Sequence, residues 1–282
     1  MIWWILAFII IGPLVGGVIC GFDRIITARM QSRVGPPVFQ PFYDVFKLFG
    51  KQNLVVNKFH GDYVKCFLIF VIVSGCIFFA GGNLLLVIFA LTVADVFLVL
   101  GAYCTNSPYA LIGAERELLQ ILAAEPMLLI TAVGFFMVTG SFNISSIASY
   151  SHCAFIPMIG IFVAYSYILT IKFRKSPFDL STSHHAHQEL VKGLTTEFAG
   201  PSLGLFEIAH FYETVLFLAI VYLFFANIPW LGVIIALLMY FIEIVIDNAN
   251  ARVKWELMIK TAWGITLILG FGNLFLLYFL KY

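Results

Sequence analysis

The sequence predicts an all-α, polytopic membrane protein. Of its 282 residues 62% are hydrophobic, and only 11% are charged, against about 25% in an average soluble domain. Uncharged apolar runs of about 20 residues recur, each long enough to cross a ~30 Å hydrocarbon core. Thirty phenylalanines add to the same picture. The whole chain, residues 1–282, is expected to form one integral membrane domain.

The first run, Ile2–Phe22, ends at Asp23-Arg24. It has no basic n-region and no small-residue cleavage site, so it reads as a retained helix. A polar connection over residues 23–63 follows. Within it Phe39, Phe42, Phe46 and Phe49 fall at helical spacing, opposite Gln40, Asp44, Lys47 and Lys51. That pattern predicts an amphipathic helix over about 38–50 lying along the membrane surface, after the break at Pro36-Pro37. Ala80-Gly81-Gly82-Asn83 divides the next long stretch into Val64–Ala80 and Leu84–Tyr103. Leu118–Gly140, Ala154–Phe173, Leu203–Phe225, Ile228–Ile246 and Thr261–Leu280 complete eight expected spans. The five cysteines carry no C-x-x-C and no metal-ligand spacing.

Charge placement tests that count. The odd-numbered connections hold fifteen of the sixteen Lys and Arg residues, and the even-numbered ones none. The positive-inside rule then puts the odd connections in the cytoplasm and both termini outside. One face has long polar loops and the other has tight turns. Such asymmetry suits a protein that docks a large cytoplasmic partner. No internal repeat of the kind common in transporters is evident.

The remaining charges lie in the wrong solvent. A carboxylate at a helix centre costs roughly 2.5–3.5 kcal/mol on insertion scales. Glu125, beside the helix-kinking Pro126, sits at hydrocarbon depth and reads as functional. Glu115 and Glu117 flank Arg116 where the fourth span opens, and acidic residues there also suit a helix start. Asp95 lies mid-span with no basic residue within a turn. It is either hydrogen-bonded to a neighbouring helix, held neutral, or part of an ion path. Glu207, His210 and Glu213 recur every third residue and form a candidate relay; the alternative is a polar helix start facing a partner. Glu243 and Asp247 either join the path or face Arg252 and Lys254. His184, His185 and His187 fix no fourth ligand, so a solvated loop is favoured over a metal site. Arg29 to Arg33 suits lipid head groups or a partner.

Several motifs then resemble one family. Arg33-x-Gly35-Pro36, Gln40-Pro41-x-x-Asp44 and Lys47-Leu48 resemble the signature after the first helix of the complex I heel subunit, which supports the quinone chamber. Asn106-Ser107, Tyr109, Gly113-Ala114, Arg116, Gln120 and Glu125 are similar to its third-to-fourth-helix segment. Pro177-Phe178-Asp179-Leu180, Glu189-Leu190-Val191, Gly193 and Thr196 to Gly200 resemble its fifth-to-sixth-helix loop. Departures from the family pattern point to a branch: His210 stands at the family's acidic position, the helix-seven-to-eight loop lacks the usual arginine-proline-rich pattern, and SHHAHQEL replaces an acidic run. The His-rich SHHAHQEL is similar to group 4 energy-converting [NiFe] hydrogenases, especially the Ech type.

The resemblance implies a membrane anchor that couples ferredoxin-driven hydrogen evolution to H⁺ or Na⁺ export. It implies no cofactor in this chain, with [4Fe-4S] clusters and the NiFe site on other subunits. The implied partners are the NiFe large subunit, an iron–sulfur small subunit, a ferredoxin-like subunit, an antiporter-like membrane subunit and the lipid bilayer, not nucleic acid. The setting would be a prokaryotic cytoplasmic membrane. Arg116, Glu125, Glu189 and Glu197 carry over as members of the polar route. Arg29, Arg33, Lys47, Arg174, Lys175, Asp179 and the three loop histidines would dock the soluble module, through a cytoplasmic loop at 174–203. A quinone-binding heel subunit of complex I and a free-standing secondary transporter are the competing readings.

Overall fold

A computed structural model describes residues 2–52, 57, 59–181 and 192–280. Among these it is nearly all helix. Helix α1 (Ile2–Met30) runs a further two turns past Phe22, which places Asp23, Arg24 and Arg29 on the helix and not in a loop. Helix α2 (Gln40–Phe49) follows in the polar connection, with Pro41 in its first turn. Its Phe39 end, Tyr43 and Phe46 are exposed, while Pro41 and Val45 are buried. Arg24 holds Asp44 at 2.5 Å and so ties α2 to α1. Partial burial alone would push the Asp44 carboxyl up, but the Arg24 and Gln40 hydrogen bonds hold it below the usual carboxylate range.

Helices α3 (His60–Phe79) and α4 (Leu84–Tyr103) pack side by side across the turn expected at Gly81. Gly81 takes the left-handed φ of 77° that the turn requires. The Asn83 side chain then caps α4, accepting from the Leu85 N–H at 2.9 Å. Helix α5 (Pro108–Thr139) starts ten residues before the expected Leu118, because Ser107-Pro108 begins it with proline at its first position. It passes through Pro126 and ends on Gly140 at φ 75°. The Glu115-Arg116-Glu117 triplet is therefore inside the helix and does not open it.

Short α6 (Ile144–Ala148) precedes α7 (Ile159–Lys172), which has only 14 residues. At 1.5 Å per residue α7 is about 21 Å long, less than the ~30 Å core. The chain before it is taken up by turns, one tied to the end of α8 by a Phe155 N–H to Phe224 carbonyl bond of 3.0 Å. Helices α8 (Pro201–Leu223) and α9 (Pro229–Ala249) follow. Then α10 (Trp255–Ile265) and α11 (Gly272–Phe279) join through a π-helical stretch, Thr266–Phe271, into one span. Among the described residues seven helices are long and apolar enough to cross a membrane, and α7 is the shorter apolar element at the place of the expected fifth span.

Helix α8 is the hub. Gly16 brings α1 against the Phe211 backbone, where an added Cβ would lie 2.2 Å from the carbonyl oxygen. Gly113 of α5 similarly admits the chain at Leu194, whose N–H bonds to the Ser181 carbonyl at 2.8 Å. Residues 192–200 thus lie packed against α5, with Phe198 edge-on to His60 of α3. A Cβ at Gly113 would meet the Leu194 nitrogen at 2.2 Å, whereas one at Gly264 meets nothing within 4 Å. We expect Gly113→Ala to lower stability by roughly 1–3 kcal/mol, the usual cost of overpacking. Gly264→Ala should leave it unchanged or slightly raised; thermal unfolding of the detergent-purified protein reads both.

Candidate functional site: three buried cations

Helix α7 ends at Lys172, and the chain then turns sharply at Arg174, a non-glycine residue at φ 51°. Such a conformation is uncommon and persists where the surroundings fix it. Here the surroundings are carboxylates. The turn carries Lys172, Arg174 and Lys175 back into the bundle, and Arg174 and Lys175 are only 8% and 7% exposed.

Each cation reaches its own carboxylates. Lys172 Nζ donates to Asp95 Oδ2 of α4 at 2.8 Å and lies 3.5 Å from Glu125 Oε1 of α5. The Arg174 guanidinium donates to Glu117 Oε1 of α5 at 2.8 Å and approaches Glu213 Oε2 of α8 to 3.6 Å. Burial alone would lower the Arg174 pKa, but Glu117 and Glu213 more than offset it, so the guanidinium is held charged. Lys175 Nζ donates to Asp23 Oδ2 of α1 at 2.7 Å, and Tyr240 of α9 donates to the same oxygen at 3.1 Å. The next residue, Ser176, gives its N–H to Asp247 of α9 at 2.9 Å. Four residues within positions 172–176 therefore bind α1, α4, α5, α8 and α9 together.

The site corrects one expectation and narrows another. Arg174 and Lys175, expected on a docking surface, are buried and paired within the chain. Of the two readings left open for Glu243 and Asp247, the pairing with Arg252 is not found: Asp247 accepts from Ser176, and Glu243 is 1% exposed beside Thr170. Arg252 pairs instead with Asp179. His210 Nδ1 lies 3.8 Å from Glu213, so these two members of the expected row do meet. Glu207 is half-buried on α8. Asp95 has the hydrogen-bonding neighbour that the sequence left open. Glu125 is half-buried and Glu115 exposed, with Arg116 between exposed and buried. Glu197 is half-buried just after the 3-10 turn Gly193–Thr195. Arg29, Arg33 and Lys47 are exposed. Glu189, His184, His185 and His187 fall outside the described residues.

Sequence reasoning missed Lys172, Gln120, Asp23 and Tyr240 as parts of this site. Lys172 was legible in principle: it ends an apolar run, and Asp95 lacked any local counter-charge. Gln120 donates to the Phe178 carbonyl at 2.5 Å, fixing where the chain leaves the site. A void of ≈ 10 Å³ remains between Asp95, Glu117, Lys172, Arg174 and Glu213, near the ~10–15 Å³ that one water needs. Among the described residues no group of three or more His, Cys, Asp and Glu is placed to hold a metal ion.

The chain matches the NADH dehydrogenase family model over residues 3–278. It belongs to that family. Formate hydrogenlyase subunit 4 of Escherichia coli (strain K12) is 27% identical over 93% of this chain and 92% of its own length. An NADH-quinone oxidoreductase subunit of Dehalococcoides mccartyi (strain ATCC BAA-2266 / KCTC 15142 / 195) is 25% identical over 89% of this chain and 78% of its own length. Among solved structures, a chain of the membrane-bound sulfane sulfur reductase, an archaeal respiratory membrane complex, superposes with a TM-score of 0.84. It is 25% identical and covers 98% of this chain and 99% of its own. As a member of the family, this chain is a multi-pass membrane subunit of a complex I- and hydrogenase-related oxidoreductase assembly.

A buried ion pair costs more to break than a surface one gains. Arg174→Met strands two carboxylates, and we expect it to destabilise the protein by roughly 3–5 kcal/mol. Asp179→Asn breaks the more exposed pair with Arg252 and should cost about 1 kcal/mol or less. Thermal midpoints of the two purified variants give the contrast.

Proposed function

We propose that this chain is the membrane anchor and coupling subunit of a ferredoxin-dependent, hydrogen-evolving [NiFe] hydrogenase, linking redox chemistry in a soluble arm to H⁺ or Na⁺ translocation. The observation that carries this reading is the buried knot at Lys172, Arg174 and Lys175. Its chain continues directly into residues 178–200, the longest polar connection after the first. A displacement of that connection would be felt at once by Asp95, Glu117, Glu125 and Glu213 on three helices. Carboxylates inside a bundle respond to such shifts in counter-charge, since each unit of pKa corresponds to about 1.4 kcal/mol of differential interaction. The hydrogenlyase relative, matched over nearly its full length, favours hydrogen chemistry over quinone chemistry.

In this reading the NiFe large subunit, the iron–sulfur small subunit and the ferredoxin-like subunit hold the redox groups. Exposed Arg29, Arg33 and Lys47, together with the loop that includes His184, His185 and His187, face them on the cytoplasmic side of a prokaryotic membrane. Both termini are external. Glu197, Glu189, Arg116, Glu125, Glu207, Glu213 and His210 form the polar route inward, and an antiporter-like subunit completes the translocation. The NADH-quinone oxidoreductase relative supports a second reading, a quinone-binding heel subunit. The copurifying subunits distinguish the two: a NiFe large subunit supports the first, a quinone-dependent activity the second.

Glu125→Gln and Glu197→Gln are expected to assemble normally and to cut the gradient formed per hydrogen evolved in inverted vesicles by tenfold or more, about 1.4 kcal/mol in coupling. Wild-type coupling in both variants contradicts the route. A cysteine placed at Lys192, which is exposed, should label from the cytoplasmic side; labelling from outside contradicts the orientation.

A further inference from the structure

Helices α1 and α9 are fastened at one end and parted at the other. Near Asp23 side-chain hydrogen bonds join them: Tyr240 donates to Asp23 at 3.1 Å, Asn248 to Thr27 at 3.2 Å, and Gln31, just past α1, to Asn248 at 3.0 Å. Toward the Gly81 turn each is fixed to α8 instead. Gly12 and Gly16 admit the Tyr212 ring and the Phe211 backbone to α1, and Gly232 of α9 admits the Tyr222 ring. Between the two helices a cavity of ≈ 520 Å³ opens. Trp4, Val15 and Ile19 line it from α1, and Val233, Ala236 and Leu237 from α9. Its floor is α8 from Val215 to Leu223. Apart from Ser145 of α6, Tyr222 and the Trp4 indole, the lining side chains are hydrocarbon.

Apolar cavities of this kind stay dry and take apolar molecules. The dimensions decide which. At 1.5 Å per residue the lining runs about 12 Å along α8, Val215 to Leu223, and about 22 Å along α1, Trp4 to Ile19. Spread over those lengths, the volume gives a mean cross-section of about 23–43 Å². An α-helix is 10–12 Å across and needs roughly 80–110 Å², so neither a partner's helix nor a second copy of this chain can enter. A single hydrocarbon chain can, and the length suits one leaflet, about half of a ~30 Å core. The connections at that end, residues 80–83, 140–158 and 224–228, contain no Asp, Glu, Lys or Arg. No ionic side chain in them selects a charged head group.

We propose that this cleft holds one acyl chain of a membrane phospholipid, taken up by its tail and indifferent to the charge of its head. The small side chains of Ala219 on α8 and Ala236 on α9 make the room. The Ser145 hydroxyl, exposed at the Gly81 end, can donate to an ester carbonyl of the same lipid. The bound chain supplies the packing contacts that an empty cleft would forfeit. It thereby braces the parted ends of α1 and α9, the same two helices that Lys175 and Ser176 tie at Asp23 and Asp247. None of this depends on hydrogen evolution or ion coupling.

Photolabelling tests this on the purified assembly, reconstituted in phosphatidylcholine vesicles with a trace of the same lipid carrying a diazirine near the end of one chain. Peptide mass spectrometry then locates the adducts. We expect them at Val215, Leu218 and Leu237 inside the cleft, with a fivefold or greater fall in Ala219→Phe, which fills the floor. Val233→Trp, a change at an exposed position of the lining, gives the same reading where Ala219→Phe does not assemble. Adducts at Ile234 and Leu238, exposed on α9 outside the cleft, report the surrounding bilayer and should stay constant in both variants. Unlabelled phosphatidylglycerol should compete no better than unlabelled phosphatidylcholine. Adducts confined to Ile234 and Leu238, or cleft adducts that persist in both variants, overturn the inference. So does stronger competition by phosphatidylglycerol, which assigns the selection to the head group. Displacement by a long-chain quinone where phosphatidylcholine has no effect also overturns it and assigns the cleft to an isoprenoid tail.

Discussion

Three cations pulled into the bundle by one sharp turn are the constraint on which this structure depends. Long basic side chains normally keep their charged heads in water. At Lys172, Arg174 and Lys175 the chain instead folds them inward, where Asp23, Asp95, Glu117 and Glu213 meet them within 2.7–3.6 Å. Removing water from these groups is costly, and only near-ideal pairing offsets it. The left-handed backbone at Arg174 is the local consequence of that pairing.

The consequences spread through the packing. Because successive residues of one strand of chain hold five helices, those helices cannot shift independently of the turn. Because α7 ends at Lys172, it is too short to span the core unaided, and its last turn serves the ion pairs. The glycines at positions 16 and 113 do the complementary work, letting α8 and the chain near Leu194 approach closely enough to seal the site. An apolar bundle closed around a polar centre, reached from one long connection, is a structure suited to passing an electrostatic change inward.

Much of the fold was legible. Apolar runs located the seven helices long enough to cross a membrane, with the expected fifth run falling on the shorter α7; the Gly81-Gly82-Asn83 turn divided α3 from α4 correctly, and aromatic spacing located α2. Boundaries slipped where local chemistry outvoted hydropathy: Ser107-Pro108 began α5 early, and α1 continued through Asp23 because that carboxylate has Lys175 beside it. The site was half legible. Carboxylates such as Asp95 and Glu125 stood out against hydrocarbon, but their counter-charges did not. Lys172, Arg174 and Lys175 read as loop cations, since only a tertiary turn reveals that they point inward. Likewise Glu207, His210 and Glu213 shared a spacing, yet that spacing did not reveal Arg174, which approaches Glu213 from another element.

The central claim is that buried charge at this knot, and not helix packing alone, links the soluble arm to the membrane. Glu213→Gln tests it most directly, because it keeps the shape and removes only the charge facing Arg174 and His210. In liposomes holding the purified assembly, ions moved per electron pair would be measured beside redox turnover. The account predicts that turnover persists while the ion ratio collapses; an unchanged ratio would contradict it.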